Sequence, residues 1–115
     1  MSERRDRQRI KVELPCNCVA FGYPQASFRA TIENIGPNGF ALTCPVELAT
    51  NQEVEIYIDL KDQKLIFKTK VVQCEVSKIT KQSYVRVKIF YTSIEDEKKY
   101  IAFYQKHLLS QPLDQ

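Results

Sequence analysis

The feature that most constrains the fold is an alternation of apolar and polar side chains that recurs along most of the chain. Successive side chains of a β-strand point to opposite faces, so this alternation predicts strands buried on one face only. Six runs show it, at residues 10–20, 28–34, 40–44, 54–60, 65–76 and 85–91. Turn-forming or polar segments separate them, at residues 22–25, 36–39, 45–52, 61–64 and 81–83.

Three details refine this prediction. Pro15 is expected to interrupt the first strand or to mark an edge, because proline lacks the N–H that a strand ladder uses. The alternation changes phase at Val71-Val72, which predicts a β-bulge or a sheet corner. The turn Gly36-Pro37-Asn38-Gly39 is expected to be tight, because glycine and asparagine accept positive φ.

After Tyr91 the apolar period becomes helical. Ser93 and Asp96 have the spacing of a capping box, with aspartate in place of the usual glutamate or glutamine. The helix is predicted to end near Leu109, before Pro112. Its apolar face is predicted from residues that recur at spacings of seven, three and four, namely Ile94, Ile101, Tyr104 and Leu108.

These patterns predict a mainly β fold, a six-stranded antiparallel β-barrel with a C-terminal α-helix, because closure removes exposed strand edges. The 115 residues suit one domain, predicted over residues 10–111. Residues 1–9 are polar or charged after Met1 and are predicted to form a flexible arginine-rich arm. No apolar run has the length of a transmembrane helix, and the charged start leads into no signal-peptide core, so a cytoplasmic location without membrane insertion is expected.

The residue types that carry catalysis are sparse. The single histidine, His107, is interpreted as a surface cation near the helix C-terminus. No nucleophile elbow and no Walker-type phosphate loop is present, so the chain is predicted not to be an enzyme and to need no cofactor. The four cysteines are predicted to be buried thiols, with Cys16 and Cys18 on one strand face, and the lack of a C-x-x-C pair argues against a metal site.

The arginines are concentrated near the start of the chain. Four of the six lie within residues 4–9, namely Arg4, Arg5, Arg7 and Arg9. The planar guanidinium matches phosphate oxygens with two hydrogen bonds and also stacks on nucleobases. The cluster is therefore interpreted either as a grip for a phosphorylated ligand or as a solvated basic tail.

A second candidate feature is the segment 34–39, where a strand enters its turn. The short polar side chain of Asn34 is able to hydrogen-bond the edge of a base, and Gly36 and Gly39 let a ligand approach the backbone closely. An ordinary hairpin turn is the alternative interpretation.

Taken together, the two features resemble the PilZ family of receptors for cyclic diguanylate (c-di-GMP). The resemblance rests on Arg4-Arg5-Asp6-Arg7-Gln8-Arg9 before a strand, followed about twenty-five residues later by Asn34-Ile35-Gly36-Pro37-Asn38-Gly39. It extends from about residue 3 to residue 109 and implies a six-stranded barrel with the ligand on its outside.

The resemblance also implies roles for individual residues. Arg5 and Arg9 would clamp phosphates and guanine faces of c-di-GMP, with assistance from Arg4. Asn34 would hydrogen-bond a guanine edge, and Gly39 would hold the turn. Gly36 stands where the family usually has serine. One neutral hydrogen bond, about 0.5–1.5 kcal/mol, is thereby lost, which predicts affinity weakened several-fold.

The leading hypothesis is a stand-alone c-di-GMP receptor or adaptor whose arm becomes ordered on the ligand and so signals to a downstream protein partner. The alternative is a degenerate module that binds no nucleotide and docks a protein through Tyr100, Phe103 and His107. Nucleic-acid binding through the arm is a third hypothesis. A net charge of only +3 and the lack of a long basic stripe argue against it, so no DNA partner is expected.

Overall fold

The computed structural model describes residues 9–23, 25–60 and 63–110. Six strands and one helix occupy most of these residues: β1 (Ile10–Ala20), β2 (Ala26–Ile35), β3 (Gly39–Cys44), β4 (Glu53–Leu60), β5 (Gln63–Val76), β6 (Ser83–Thr92) and α1 (Ile94–Ser110). The strands close into a barrel in the order β1-β2-β3-β6-β5-β4, and every neighbouring pair is antiparallel. The predicted fold class is confirmed. Of the predicted arm, residues 1–8 lie outside the described residues.

The apolar side of each strand faces the barrel interior, as the alternation predicts. The largest side chains there are fully buried, among them Phe67, Ile10, Ile32, Ile35, Leu42, Ile56 and Leu65. Removing this apolar surface from water is the main driving force for closing the barrel. Cys16, Cys18 and Cys44 are buried and Cys74 is half-buried, so the prediction of buried thiols is confirmed for three of the four.

One of the register shifts between strands, at Val72, lies where the sequence indicates, and the shifts at 11–14, 32–34 and 68–69 were not predicted. Val71 pairs with Val87 and Gln73 pairs with Arg86, which leaves Val72 as the extra residue of a bulge. The predicted bulge is thus confirmed. Pro15 pairs with Thr31 of β2, whereas the pairing of β1 with β4 begins one residue later. Proline therefore occupies a position where the strand is paired on one side, as expected for an edge.

The N-terminus of α1 is capped as predicted. The backbone N–H of Asp96 donates to Ser93 Oγ at 3.0 Å. The Asp96 carboxylate accepts a hydrogen bond of 3.0 Å from the backbone N–H of Ile66 in β5. The same residue thereby attaches the first turn of the helix to the barrel wall.

The predicted packing face of α1 is wrong in part. Ile94, Ile101 and Leu108 are 72%, 44% and 41% exposed, and only Tyr104 of the predicted set packs against the core. The face that packs consists of Tyr100, Phe103, Tyr104 and His107. The last three follow Tyr100 by three, four and seven positions, which places all four on one side of a helix. Tyr100 belongs to the buried core, and Phe103 and Tyr104 pack against it.

Two further expectations change with that face. Tyr100 is 5% exposed and Phe103 packs against the core, so the surface proposed for protein docking is largely occupied by the barrel itself. His107 is half-buried, with its ring centroid 4.1 Å from that of Phe103, rather than fully exposed at the surface. Among the described residues, no helix is long and apolar enough to cross a membrane.

Candidate ligand-binding groove

A groove of about 360 Å³ lies on the outer face of the barrel, next to the turn between β2 and β3. Four of the predicted site residues line it: Arg9, Asn34, Gly36 and Gly39. Arg4 and Arg5 lie outside the described residues. The structure thus brings together residues from the end of the arm and from the turn, which are about 25 positions apart in the sequence.

The strand register explains why these residues meet. Asn34 pairs with Lys11 of β1 on one side and with Ala41 of β3 on the other. Ala41 in turn pairs with Arg86 of β6, whose partner in β5 is Gln73. A row of polar side chains therefore crosses the outside of the barrel, with the small residue Ala41 at its centre.

The turn is tight, but the predicted reason is wrong. The backbone N–H of Gly36 donates to the carbonyl of Gly39 at 2.9 Å. Positive φ occurs among the described residues at Gly22, Asn51 and Lys81, and not at this turn.

Close approach between strands explains the glycine at position 39. A Cβ atom there would lie 2.2 Å from the carbonyl oxygen of Val87 in β6. Gly39 therefore lets β3 approach β6.

A hydrogen bond from α1 fixes the first residue of the turn, Gly36. The Tyr100 hydroxyl donates to the carbonyl oxygen of Gly36 at 2.5 Å. Burial raises the pKa of Tyr100, so the hydroxyl stays protonated and remains a donor at neutral pH. The Tyr100 ring contacts Phe40 and Phe67 edge-on, with ring centroids 5.5 and 5.2 Å apart.

The groove is electropositive. Its described lining includes three cationic side chains, Arg9, Arg86 and Lys88, and no acidic one. Exposed apolar surface lies beside them, contributed by the bulge residue Val72. This combination of cationic side chains and an exposed apolar residue suits an anionic ligand that also has flat apolar faces.

Sequence reasoning missed Arg86 and Lys88. Their place in the groove depends on the pairing of β6 with β3, across about 45 positions of the chain. An alternating strand pattern indicates which face a residue occupies, but not which strand lies beside it. The part of the chain that the structure describes contains no cluster of three His, Cys, Asp or Glu side chains able to hold a metal.

The fold is a closed six-stranded barrel with one packed helix and an external cationic groove. The family model for the PilZ domain matches residues 3–106, so the chain belongs to the PilZ domain family. The comparison with curated proteins gives no match.

Several solved structures share the fold. The inhibitor of motility MotI (DgrA) of Bacillus subtilis superposes with a TM-score of 0.74 at 12% identity, over 90% of this chain and 50% of that one. The chain thus spans about half the length of MotI. The PilZ domain of CeSA from a cellulose-synthesizing bacterium gives 0.64 at 15% identity, over 85% of this chain and 95% of that one. The PilZ domain of YcgR from Escherichia coli, solved with c-di-GMP, gives 0.64 at 10% identity, over 86% and 87%.

Proposed function

We propose that this protein is a c-di-GMP receptor or adaptor. The observation that carries the proposal is the convergence of Arg9, Asn34 and the turn 36–39 on one cationic groove. The PilZ domain match and the similarity to a YcgR domain solved with c-di-GMP support the choice of ligand.

Each group has a chemical role in this proposal. The Arg9 guanidinium binds a phosphate of the ligand through charge-assisted hydrogen bonds. Asn34 hydrogen-bonds a guanine edge through its side-chain amide. Arg5, assisted by Arg4, closes over the second phosphate and a guanine face from residues that lie outside the described part of the chain.

Signalling follows from the position of Arg9. It directly precedes β1 and borders the groove, so a ligand held by Arg9 also fixes the end of the arm, residues 1–9. Ordering of that arm over the ligand changes the surface offered to a downstream protein partner. The fold has no catalytic role in this account.

Isothermal titration calorimetry with c-di-GMP tests the proposal. The unaltered protein is expected to bind, and Arg9→Ala to weaken binding about tenfold or more, since a hydrogen bond to a charged group contributes roughly 1.5–3 kcal/mol. Arg29→Ala is the matched control, because Arg29 is an exposed arginine on β2 that does not line the groove. No binding heat from the unaltered protein at low salt and high micromolar concentrations would reject the proposal.

A second candidate function is a module that binds a protein partner and no nucleotide. It is favoured by one observation, Gly36 at the position where a serine hydroxyl is expected. A partner complex recovered by pull-down, and unaffected by added c-di-GMP, would favour it over the receptor.

A further inference from the structure

Arg86 faces the groove from the side opposite to Asn34. Both residues pair with Ala41, one from β2 and the other from β6. Neighbouring strands are about 4.8 Å apart, so the two backbones are separated by roughly 10 Å across the groove floor. A ligand lying over Ala41 therefore comes within reach of both side chains.

The guanidinium of Arg86 is oriented before any ligand arrives. Its Nη1 donates to Gln73 Oε1 at 3.3 Å, and Gln73 Nε2 donates to Glu75 Oε2 at 2.9 Å. The bond to Glu75 fixes which end of the Gln73 amide faces Arg86. Arginine has five N–H donors, so this contact orients the group and leaves other donors for a ligand.

The wall of the groove beside Arg86 includes an exposed apolar side chain, Val72. The bulge places Val72 and Gln73 on the outside in succession, and Val72 is 49% exposed in the wall of the groove. Ala41 and Gly39 add no bulky side chain to the floor. A strongly hydrated phosphate gains little from such a wall. A nucleobase that packs on it removes the apolar surface of its face from water.

We infer that Arg86 binds the acceptor edge of one guanine of the ligand, its N7 and O6 atoms, while the base packs against Val72. The inference rests on the proposed function and adds to it a specificity-determining residue that lies outside both the arm and the turn. Paired donors of arginine on guanine N7 and O6 are the commonest specific contact to that base. Adenine presents a donor at the equivalent of O6 and is disfavoured by the same group.

The first test is calorimetry with c-di-GMP on Arg86→Gln. Loss of a paired contact is expected to weaken binding about tenfold to a hundredfold. Arg29→Gln makes the same charge change at an exposed β2 position away from the groove and is expected to bind like the unaltered protein. Circular dichroism and the thermal midpoint verify that both variants are folded.

The second test distinguishes a base contact from a phosphate contact. With ¹⁵N-labelled c-di-GMP at saturating concentration, one guanine N7 resonance is expected to move on binding and to return toward its free position in Arg86→Gln. The ³¹P resonances of the ligand are expected to be the same in both proteins. A change confined to the ³¹P resonances would assign Arg86 to phosphate and overturn the inference.

The remaining outcomes separate the inference from the proposed function. If the unaltered protein binds c-di-GMP and Arg86→Gln binds equally well, Arg86 has no contact with the ligand and only the inference fails. If the unaltered protein does not bind c-di-GMP at all, the proposed function fails and the inference fails with it.

Discussion

The hydroxyl of Tyr100 in α1 donates a hydrogen bond to the carbonyl oxygen of Gly36, at the start of the turn that borders the groove. The two residues are 64 positions apart, and their bond connects the helix directly to the candidate site. The Tyr100 ring also contacts Phe40, which follows the turn and lines the groove. The position of the turn therefore depends on the helix as well as on the strands.

Tyr100→Phe tests that connection, because it keeps the ring and removes the hydroxyl. The carbonyl of Gly36 loses its buried donor, so the free energy of unfolding is expected to fall by about 1–3 kcal/mol in urea denaturation. Affinity for c-di-GMP is expected to fall as well. Tyr84→Phe, at an exposed position on β6, is the control and is expected to change neither quantity. Equal stability and affinity of Tyr100→Phe and the unaltered protein would show that the bond does not fix the turn.

Gly39→Ala is expected to destabilise the protein. The added Cβ would lie 2.2 Å from a backbone oxygen of Val87, so β3 and β6 must separate. Overpacking of this kind costs about 1–3 kcal/mol, measurable as a lower denaturation midpoint. Gly36→Ala is the matched control, since its nearest contact would be 3.8 Å away and its φ is not positive. A Gly39→Ala variant as stable as Gly36→Ala would contradict the role assigned to Gly39.

Gly36→Ser is expected to tighten c-di-GMP binding. The position has room for the side chain, and the hydroxyl adds one hydrogen-bonding group at the edge of the groove. A neutral hydrogen bond of about 0.5–1.5 kcal/mol corresponds to a gain of roughly twofold to tenfold in calorimetry. Gly36→Ala, which adds the carbon without the hydroxyl, is expected to give no gain. If serine and alanine have the same effect, the hydroxyl is not the missing contact.

The cysteines are expected to differ in reactivity. Cys16, Cys18 and Cys44 are buried and therefore closed to a reagent, although the hydrogen bond with Cys18 lowers the pKa of Cys16 and the hydrogen bond with Cys16 and burial raise that of Cys18. Cys74 is half-buried and is expected to be the first to react with a thiol reagent such as DTNB. One thiol should react in the native protein and four in guanidinium chloride, and Cys74→Ser should abolish the native reaction. Rapid native reaction of two or more thiols would contradict this ranking.

The six strands were predictable from the sequence because patterns of period two are local, whereas their closure into a barrel was predicted from the removal of exposed strand edges. The alternation at 54–60 and at 85–91, and its change of phase at Val71-Val72, each depend on neighbouring residues only. The helix face was misjudged for a physical reason. In the sequence, aliphatic residues define an apolar stripe of a helix as well as aromatic residues do. In the structure, the space beside Phe40 and Phe67 is filled by the aromatic ring of Tyr100.

The candidate site was predictable in part. Arg9, Asn34, Gly36 and Gly39 lie in one groove, as the motifs indicate. The function of Gly39 was not predictable, because the contact with Val87 exists only after β3 and β6 pair. Arg86 enters the groove through the same pairing, so no local pattern marks it.

Amide chemical-shift mapping with c-di-GMP tests most directly that this groove is the ligand site. On titration, the backbone amides of Arg9, Asn34, Gly36 and Gly39 are expected to shift most, together with those of Ala41 and Arg86, whereas the amide of Arg29 is expected to stay in place. Saturable shifts confined to another face of the barrel, or no shifts at high micromolar ligand, would contradict the account.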